Sequence, residues 1–173
     1  MLVRPSLFGA AGRRSGIELS GQSISTIRNR LREGGRRIEK GAKTSMPSTP
    51  FISIVDDDDA LRSSLEDLIR SVGFRVQGFI SAEVFLRSNQ VQKTDCLILD
   101  VRMPGMTGPE LQRRLRSESP DLPIIFITAY ADRDVQAQAF EAGAVAFLYK
   151  PFYEQDLLSA IDAALERGQE RDG

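Results

Sequence analysis

The most constraining feature of this sequence is a set of three short apolar runs, each of which ends on a charged side chain. The charged residues that follow these runs are Asp56 with Asp57, Asp100, and Lys150. Short apolar runs are typical of buried strands in a parallel sheet, and the carboxyl ends of such strands form one common edge. We therefore expect these aspartates and the lysine to meet at one edge of a sheet.

Carboxylates that gather at one edge repel one another and resist ionisation. Such an arrangement makes physical sense mainly when a divalent cation, phosphate chemistry or both offset the repulsion. Asp56, Asp57 and Asp100 offer only oxygen ligands, which suit Mg²⁺ better than zinc or iron. Because Mg²⁺ keeps several waters and accepts one or two carboxylates, one of these acids can act through a water molecule.

The pattern of apolar residues predicts an α/β fold. From Pro50 onward, five strand-like segments alternate with helix-like segments. The strand-like segments are 51–55, 74–79, 96–99, 124–127 and 145–149. Short connections between such elements indicate an open parallel sheet covered by helices on both faces, the (βα)5 doubly wound, flavodoxin-like arrangement. Its strand order of 2-1-3-4-5 has a switch point between the first and third strands, where ligands bind.

The distribution of charge divides the chain into two segments. Residues 1–50 carry ten basic and three acidic side chains, a net charge of +7, whereas residues 51–173 have a net charge of −8. The basic segment is rich in Arg, Ser and Gly and has few apolar periodicities, so it is poorly suited to form a core. We predict a disordered N-terminal extension over 1–49, a folded domain over 50–168 and a short polar tail over 169–173.

The basic N-terminal segment is open to several interpretations. Clustered Arg can neutralise the phosphates of a nucleic acid or a membrane surface, and the composition also resembles an organelle transit peptide. Its basic residues are scattered, and no pattern of alternating aromatic and basic residues supports a nucleic-acid surface. We favour a mobile tail, or upstream sequence read from an early start codon with Met46 as the natural start.

The residue types that are scarce in the chain exclude several kinds of chemistry. It has no histidine, so it supplies no phosphohistidine and no His general base, and a phosphoryl donor must come from outside. Cys96 is the only cysteine and lies in an apolar run, which predicts a buried thiol and favours a reducing, cytoplasmic setting. No apolar run is long enough to cross a bilayer, so we do not expect a membrane protein.

Each candidate residue also has a structural interpretation. Asp58 and Asp59 suit the start of a helix, where free amide groups and the macrodipole favour acids. Asp100 taken alone suits a loop cap, and Lys150 suits a turn into the last helix. Thr128, which closes the fourth strand, is either a satisfied strand-end hydroxyl or a donor to a phosphate oxygen.

The surroundings of Asp100 favour chemistry over capping. Residues 101–108 form a loop hinged by Gly105 and Gly108, which leaves the Asp100 carboxylate at the open edge. A carboxylate in this position can attack phosphorus and form an aspartyl phosphate. Lys150 beside it suits a point-charge ligand for phosphate oxygens.

The ordered set of these motifs resembles the receiver domain of bacterial two-component response regulators. The set comprises Asp56 with Asp57, Asp100 followed by 103–108, Thr128, and Lys150 followed by Pro151. The resemblance runs from about Phe51 to Glu166. The sequence around the motifs looks most like receivers of the nitrogen-fixation regulator type, which usually precede a LuxR-like DNA-binding domain. Because this chain ends after its fifth predicted helix, we expect either a stand-alone receiver or a truncated sequence.

The resemblance implies a role for each candidate residue. Asp100 would accept the phosphoryl group, and Lys150 and Thr128 would bind phosphoryl oxygens. Thr128 would move toward the phosphate while Phe147 rotates inward to fill space, and the peptide between Lys150 and Pro151 would be cis. The implied Mg²⁺ ligands are Asp56, Asp57, Asp100 and the main-chain carbonyl of Arg102.

The resemblance also implies partners. A sensor histidine kinase would supply the phosphoryl group, and two activated copies would pair through the fourth helix and fifth strand. We expect no nucleic acid and no membrane to bind the receiver directly.

The sequence therefore predicts a Mg²⁺-dependent phosphorylation switch rather than a turnover enzyme. A Mg²⁺-dependent phosphatase that forms an aspartyl phosphate is one alternative, because residues 57–59 offer an Asp-x-Asp pattern. The other alternative is a degenerate receiver that acts only as a binding module.

Overall fold

The computed structural model describes residues 49–169. The predictions for most of the basic extension, residues 1–48, and for residues 170–173 of the tail lie outside the described residues. The bounds proposed for the folded domain stay a prediction.

A five-stranded parallel sheet forms the centre of the described region. Its strands run in the order β2-β1-β3-β4-β5. The strands are β1 (Phe51–Val55), β2 (Arg75–Phe79), β3 (Cys96–Asp100), β4 (Ile124–Thr128) and β5 (Ala146–Tyr149). The predicted fold class and strand order are confirmed, and the switch point lies between β1 and β3.

Five helices follow the strands and cover both faces of the sheet. They are α1 (Asp59–Ser71), α2 (Ala82–Arg87), α3 (Gly108–Glu118), α4 (Arg133–Glu141) and α5 (Glu154–Gln169), with a short 3-10 helix at Val91–Lys93. No helix in this part of the chain combines the length and the apolar character that spanning a bilayer requires.

Burial differs between the central and the edge strands. Every residue of β1, β3 and β4 is buried, whereas β2 alternates between exposed and partly buried positions before it ends on the buried Phe79. One apolar cluster lies on each face, with Phe126 and Leu111 in the first and Ile125 and Ile161 in the second. Cys96 is fully buried, as the sequence predicts, and burial raises the pKa of its thiol.

Local signals set the helix ends. The Asp58 carboxylate caps α1 by accepting from the Leu61 amide, and Ser81 caps α2 by accepting from the Val84 amide. Gly73 and Gly143 follow α1 and α4 at φ +99° and +87°, a left-handed conformation that glycine adopts without strain. The structural role that the sequence assigns to Asp58 is confirmed.

The contact of Gly108 with β3 generates a stability prediction. A Cβ at this position would lie 2.3 Å from the main-chain oxygen of Asp100 and 3.0 Å from the Phe126 ring. We expect Gly108→Ala to lower the free energy of unfolding in urea by about 1–3 kcal/mol, because the main chain must move to admit a methyl group. Gly168→Ala is the matched control, since its Cβ would lie 3.8 Å from the Pro123 ring, an ordinary van der Waals distance. Equal stability of the two variants would contradict the prediction.

Candidate functional site

Three strand ends bring two carboxylates and one ammonium group into direct contact. Lys150, which follows β5, donates from Nζ to Asp56 Oδ2 at 2.8 Å and to Asp100 Oδ1 at 2.6 Å. Asp56 follows β1 and Asp100 ends β3, so the switch point carries both acids. The edge arrangement that the sequence predicts is present for these three residues.

The β1–α1 connection presents its two predicted metal ligands differently. Asp56 is fully buried, and its Oδ1 accepts from the Asp58 amide at 2.8 Å. Asp57 is exposed, and among residues 49–169 its side chain makes no hydrogen bond or ion pair. The structure therefore leaves the Asp57 carboxylate available while both Asp56 oxygens are engaged.

The Asp100 carboxylate is buried, with an exposed fraction of 5%. Its Oδ2 accepts from the Arg102 amide at 2.7 Å, so each oxygen has one donor. Burial raises the pKa of the Asp100 carboxyl above its usual range, while the hydrogen bond from Lys150 opposes that rise. Burial lowers the pKa of Lys150, but its bonds to Asp100 and Asp56 outweigh burial and the pKa lies above its usual range.

Thr128 ends β4 and Phe147 lies within β5, and the two residues make different contacts. Thr128 is 1% exposed and its hydroxyl accepts from the Tyr130 amide at 3.1 Å, while its carbonyl accepts from the Lys150 amide at 2.7 Å. Phe147 is buried, and its ring centroid lies 5.8 Å from that of Phe126. The hydroxyl of Thr128 makes no hydrogen bond to Asp56 or Asp100.

Two loops meet above Asp100 through an aromatic contact. The Arg102 guanidinium lies 4.3 Å from the centroid of the Tyr130 ring, a cation–π geometry. Arg102 belongs to the β3–α3 loop and Tyr130 to the β4–α4 loop. The Lys150–Pro151 peptide is cis, as the resemblance implies.

The donor set fits a hard cation with few protein ligands. Among residues 49–169, no three carboxylate or thiol side chains already form a group that could hold a metal ion. The Lys150 ammonium, however, lies between Asp56 and Asp100, so this part of the pocket already stabilises a positive charge. Mg²⁺ takes one or two carboxylates and completes its coordination shell with water and phosphate oxygens. The carboxylate oxygens of Asp56 and Asp100, together with the exposed Asp57, can supply that small number of protein ligands.

Two further polar contacts near the site were not expected from the sequence. The Arg62 guanidinium donates to the Asp56 carbonyl at 2.7 Å, and Glu83 Oε1 accepts from the Met106 amide at 2.9 Å. Each contact joins a helix to a loop that carries a candidate ligand. Sequence spacing gave no signal for either, because both depend on how the helix packs against the sheet.

Comparison with known proteins identifies the relatives of this arrangement. The sequence matches the response regulator receiver domain over residues 52–162. It is 48% identical over 128 residues to the response regulator protein TodT of Pseudomonas putida, covering 74% of this chain and 56% of TodT. It is 36% identical over 124 residues to the transcriptional regulatory protein FixJ of Bradyrhizobium diazoefficiens, covering 72% of this chain and 60% of FixJ.

A solved structure agrees with these matches. The response regulator StyR superposes with a TM-score of 0.67 at 46% sequence identity, covering 72% of this chain and 63% of StyR. The chain thus spans less than two thirds of the length of each of these three relatives.

The contacts of Lys150 generate a second stability prediction. We expect Lys150→Met to lower the free energy of unfolding by about 3–5 kcal/mol in metal-free buffer at neutral pH, because it leaves two buried carboxylates without their shared cation. Urea unfolding followed by circular dichroism measures the change. Adding Asp100→Asn to Lys150→Met should recover part of the loss, since the repulsion between the two acids disappears. An unchanged unfolding midpoint in Lys150→Met would show that Lys150 does not stabilise the buried Asp56 and Asp100 carboxylates.

Proposed function

The chain belongs to the response regulator receiver family, whose members are phosphorylation-dependent signalling switches, and we propose that Asp100 is the residue that accepts the phosphoryl group. The observation that supports this assignment is the contact of Lys150 with a buried carboxylate at the sheet edge. The chain covers only part of each compared relative, so the donor, the partners and the output are parts of the proposal.

The proposed reaction is a transfer between two nucleophiles. An Asp100 oxygen attacks the phosphorus of a phosphohistidine on a sensor histidine kinase, forming the new O–P bond as the N–P bond breaks. The electron pair of that bond returns to the imidazole of the kinase. Because this chain has no histidine, the donor is a separate group.

We assign Mg²⁺ to the acidic edge, with Asp56, Asp57, Asp100 and the Arg102 carbonyl as its proposed protein ligands. When bound, the ion neutralises charge on the transferring phosphoryl oxygens. Receiver domains typically bind Mg²⁺ in their acidic pocket, and the oxygen-only donor set supports the same assignment here.

Lys150 and Thr128 are the proposed ligands of the phosphoryl oxygens. Lys150 already contacts Asp100, so it needs only to exchange one carboxylate partner for a phosphate oxygen. The Thr128 hydroxyl would give up its contact with the Tyr130 amide and donate to the phosphate. Phe147 is the proposed aromatic partner of this movement, since it pairs in register with Phe126, two residues before Thr128 on β4, and the two rings pack together.

The domain is a signalling switch and not a turnover enzyme in the ordinary sense. We propose that it catalyses only its own phosphorylation and dephosphorylation, and that it does so in the cytoplasm, where a buried, unpaired Cys96 is stable. The family match does not favour the phosphatase or the binding-module alternatives.

Phosphoryl uptake tests the assignment of Asp100. Labelled acetyl phosphate with Mg²⁺ should place one phosphoryl group on each chain, and Asp100→Asn or chelation of Mg²⁺ should abolish the label. Asp67→Asn, which removes an exposed aspartate paired with Arg70, is the matched control and should label normally. Many turnovers on a phosphoester would favour the phosphatase, and a wild-type chain that takes up no phosphate would favour the binding module.

A phosphorylation-dependent homodimer is the final part of the proposal. The face of α4 and β5 exposes Phe140 and Tyr149, at 45% and 37%, and the Tyr149 hydroxyl donates to Gln136. Sedimentation velocity with beryllofluoride and Mg²⁺ should show a shift from monomer to dimer, which Phe140→Glu abolishes. Ile80→Glu, at an exposed apolar position after β2, is the control and should still dimerise. Unchanged sedimentation of the wild-type protein on activation would exclude this dimer.

A further inference from the structure

Arg62 is a charged side chain that the proposed reaction does not use, although it lies against the acidic loop. Its side chain is 12% exposed, an unusual degree of burial for an arginine. The guanidinium donates to the main-chain oxygen of Asp56 at 2.7 Å and also pairs with Asp59. A helix residue thus binds the main chain of the β1–α1 connection from outside the acidic cluster.

The bond from Arg62 acts on the peptide that joins Asp56 to Asp57. A peptide unit is planar, so fixing the direction of the Asp56 carbonyl also fixes the direction of the Asp57 amide and its Cα. Neighbouring contacts fix the rest of the loop, since Asp56 binds Lys150 and Asp58 caps α1. The side chain of Asp57 makes no hydrogen bond or ion pair among residues 49–169, so the main chain sets the direction in which it leaves the loop.

A glycine in the neighbouring strand makes room for Arg62. A Cβ on Gly78 of β2 would lie 2.7 Å from both Cγ and Cδ of Arg62 and 2.3 Å from Glu66 Oε1. The Glu66 oxygen is at the end of a flexible chain and can move away, whereas the Arg62 atoms lie in the middle of its stem. The path of the arginine across the sheet edge therefore requires a residue without a side chain at position 78.

We propose that Arg62 is a positioning residue for the cation site, which orients Asp57 toward a bound divalent ion by fixing the Asp56–Asp57 peptide. The inference rests on the proposed function, because it takes Asp57 as a ligand of Mg²⁺. Gly78 serves the same purpose indirectly by admitting the arginine stem. Arg62 touches neither the metal nor the phosphoryl group.

Two opposite effects of Arg62 on Mg²⁺ affinity separate this proposal from plain electrostatics. Removing a positive charge near three acids should strengthen cation binding if Arg62 acts through its charge alone. Removing the hydrogen bond that orients a metal ligand should weaken cation binding. Loss of a group that hydrogen-bonds to a metal ligand typically lowers metal affinity by about 10–100-fold. The direction of the change therefore decides between the two roles.

The experiment measures Mg²⁺ binding to the full chain by titration calorimetry. We expect Arg62→Met to weaken Mg²⁺ binding by about tenfold. Arg62→Lys keeps a hydrogen-bond donor on the side chain and should recover part of the lost Mg²⁺ affinity. Gly78→Ala should weaken binding in the same direction while the positive charge remains. Arg70→Met is the matched control, because Arg70 lies on the same helix, is 56% exposed and pairs with Glu66 and Asp67.

A kinetic measurement distinguishes orientation from general damage. Phosphorylation by acetyl phosphate should require more Mg²⁺ in Arg62→Met but reach the wild-type maximal rate at saturating Mg²⁺. Tighter or unchanged Mg²⁺ binding in Arg62→Met, or a lowered maximal rate with unchanged Mg²⁺ dependence, would overturn the proposal.

A readout without metal keeps this inference separate from the proposed function. In metal-free protein the NMR signal of the Asp57 amide should shift in Arg62→Met and Gly78→Ala and stay unchanged in Arg70→Met. An unmoved Asp57 signal in the first two variants overturns the orienting role of Arg62. A wild-type protein that does not bind Mg²⁺ overturns the proposed function instead, and the Asp57 signal still decides whether Arg62 orients that residue.

Discussion

The position of the Lys150 ammonium between the buried carboxylates of Asp56 and Asp100 determines the electrostatics of this sheet edge. Asp56 and Asp100 come from adjacent strands and have almost no access to solvent, so the Lys150 ammonium offsets the cost of burying two carboxylates side by side. Lys150 is held in that position by the neighbouring strand β4, because its amide donates to the Thr128 carbonyl at the end of that strand. The sheet thus holds three charged side chains in direct contact at one edge.

The same constraint explains how a small chemical change can affect a distant surface. A phosphoryl group on Asp100, as we propose, would add about −1.5 to −2 charges beside Lys150, which donates to Asp100 and whose amide bonds to the Thr128 carbonyl. Thr128 is joined to the β4–α4 loop through the Tyr130 amide, and α4 follows that loop. In α4 only Ala139 is buried, so this helix is held by few core contacts and can respond to a shift of the loop.

Sequence reasoning reaches the elements whose signals are local. Apolar runs that end in charged residues predicted the strand order and the meeting of Asp56, Asp100 and Lys150, because parallel strands share one carboxyl edge. Strand ends were less accurate: β3 includes Asp100, which pairs with Ile127 across the ladder. Arg62 could not be assigned in advance, since its bond to the Asp56 carbonyl exists only once α1 packs beside a glycine on β2.

A crystal structure of the protein with Mg²⁺ and beryllofluoride tests the central claim most directly. The account predicts beryllium bonded to an oxygen of Asp100, with the Lys150 amine moved from that carboxylate to a fluorine atom. It also predicts that the Thr128 hydroxyl faces the fluorines rather than the Tyr130 amide. Beryllium on another side chain, or Lys150 still bridging Asp56 and Asp100 beside an unmodified carboxylate, would contradict it.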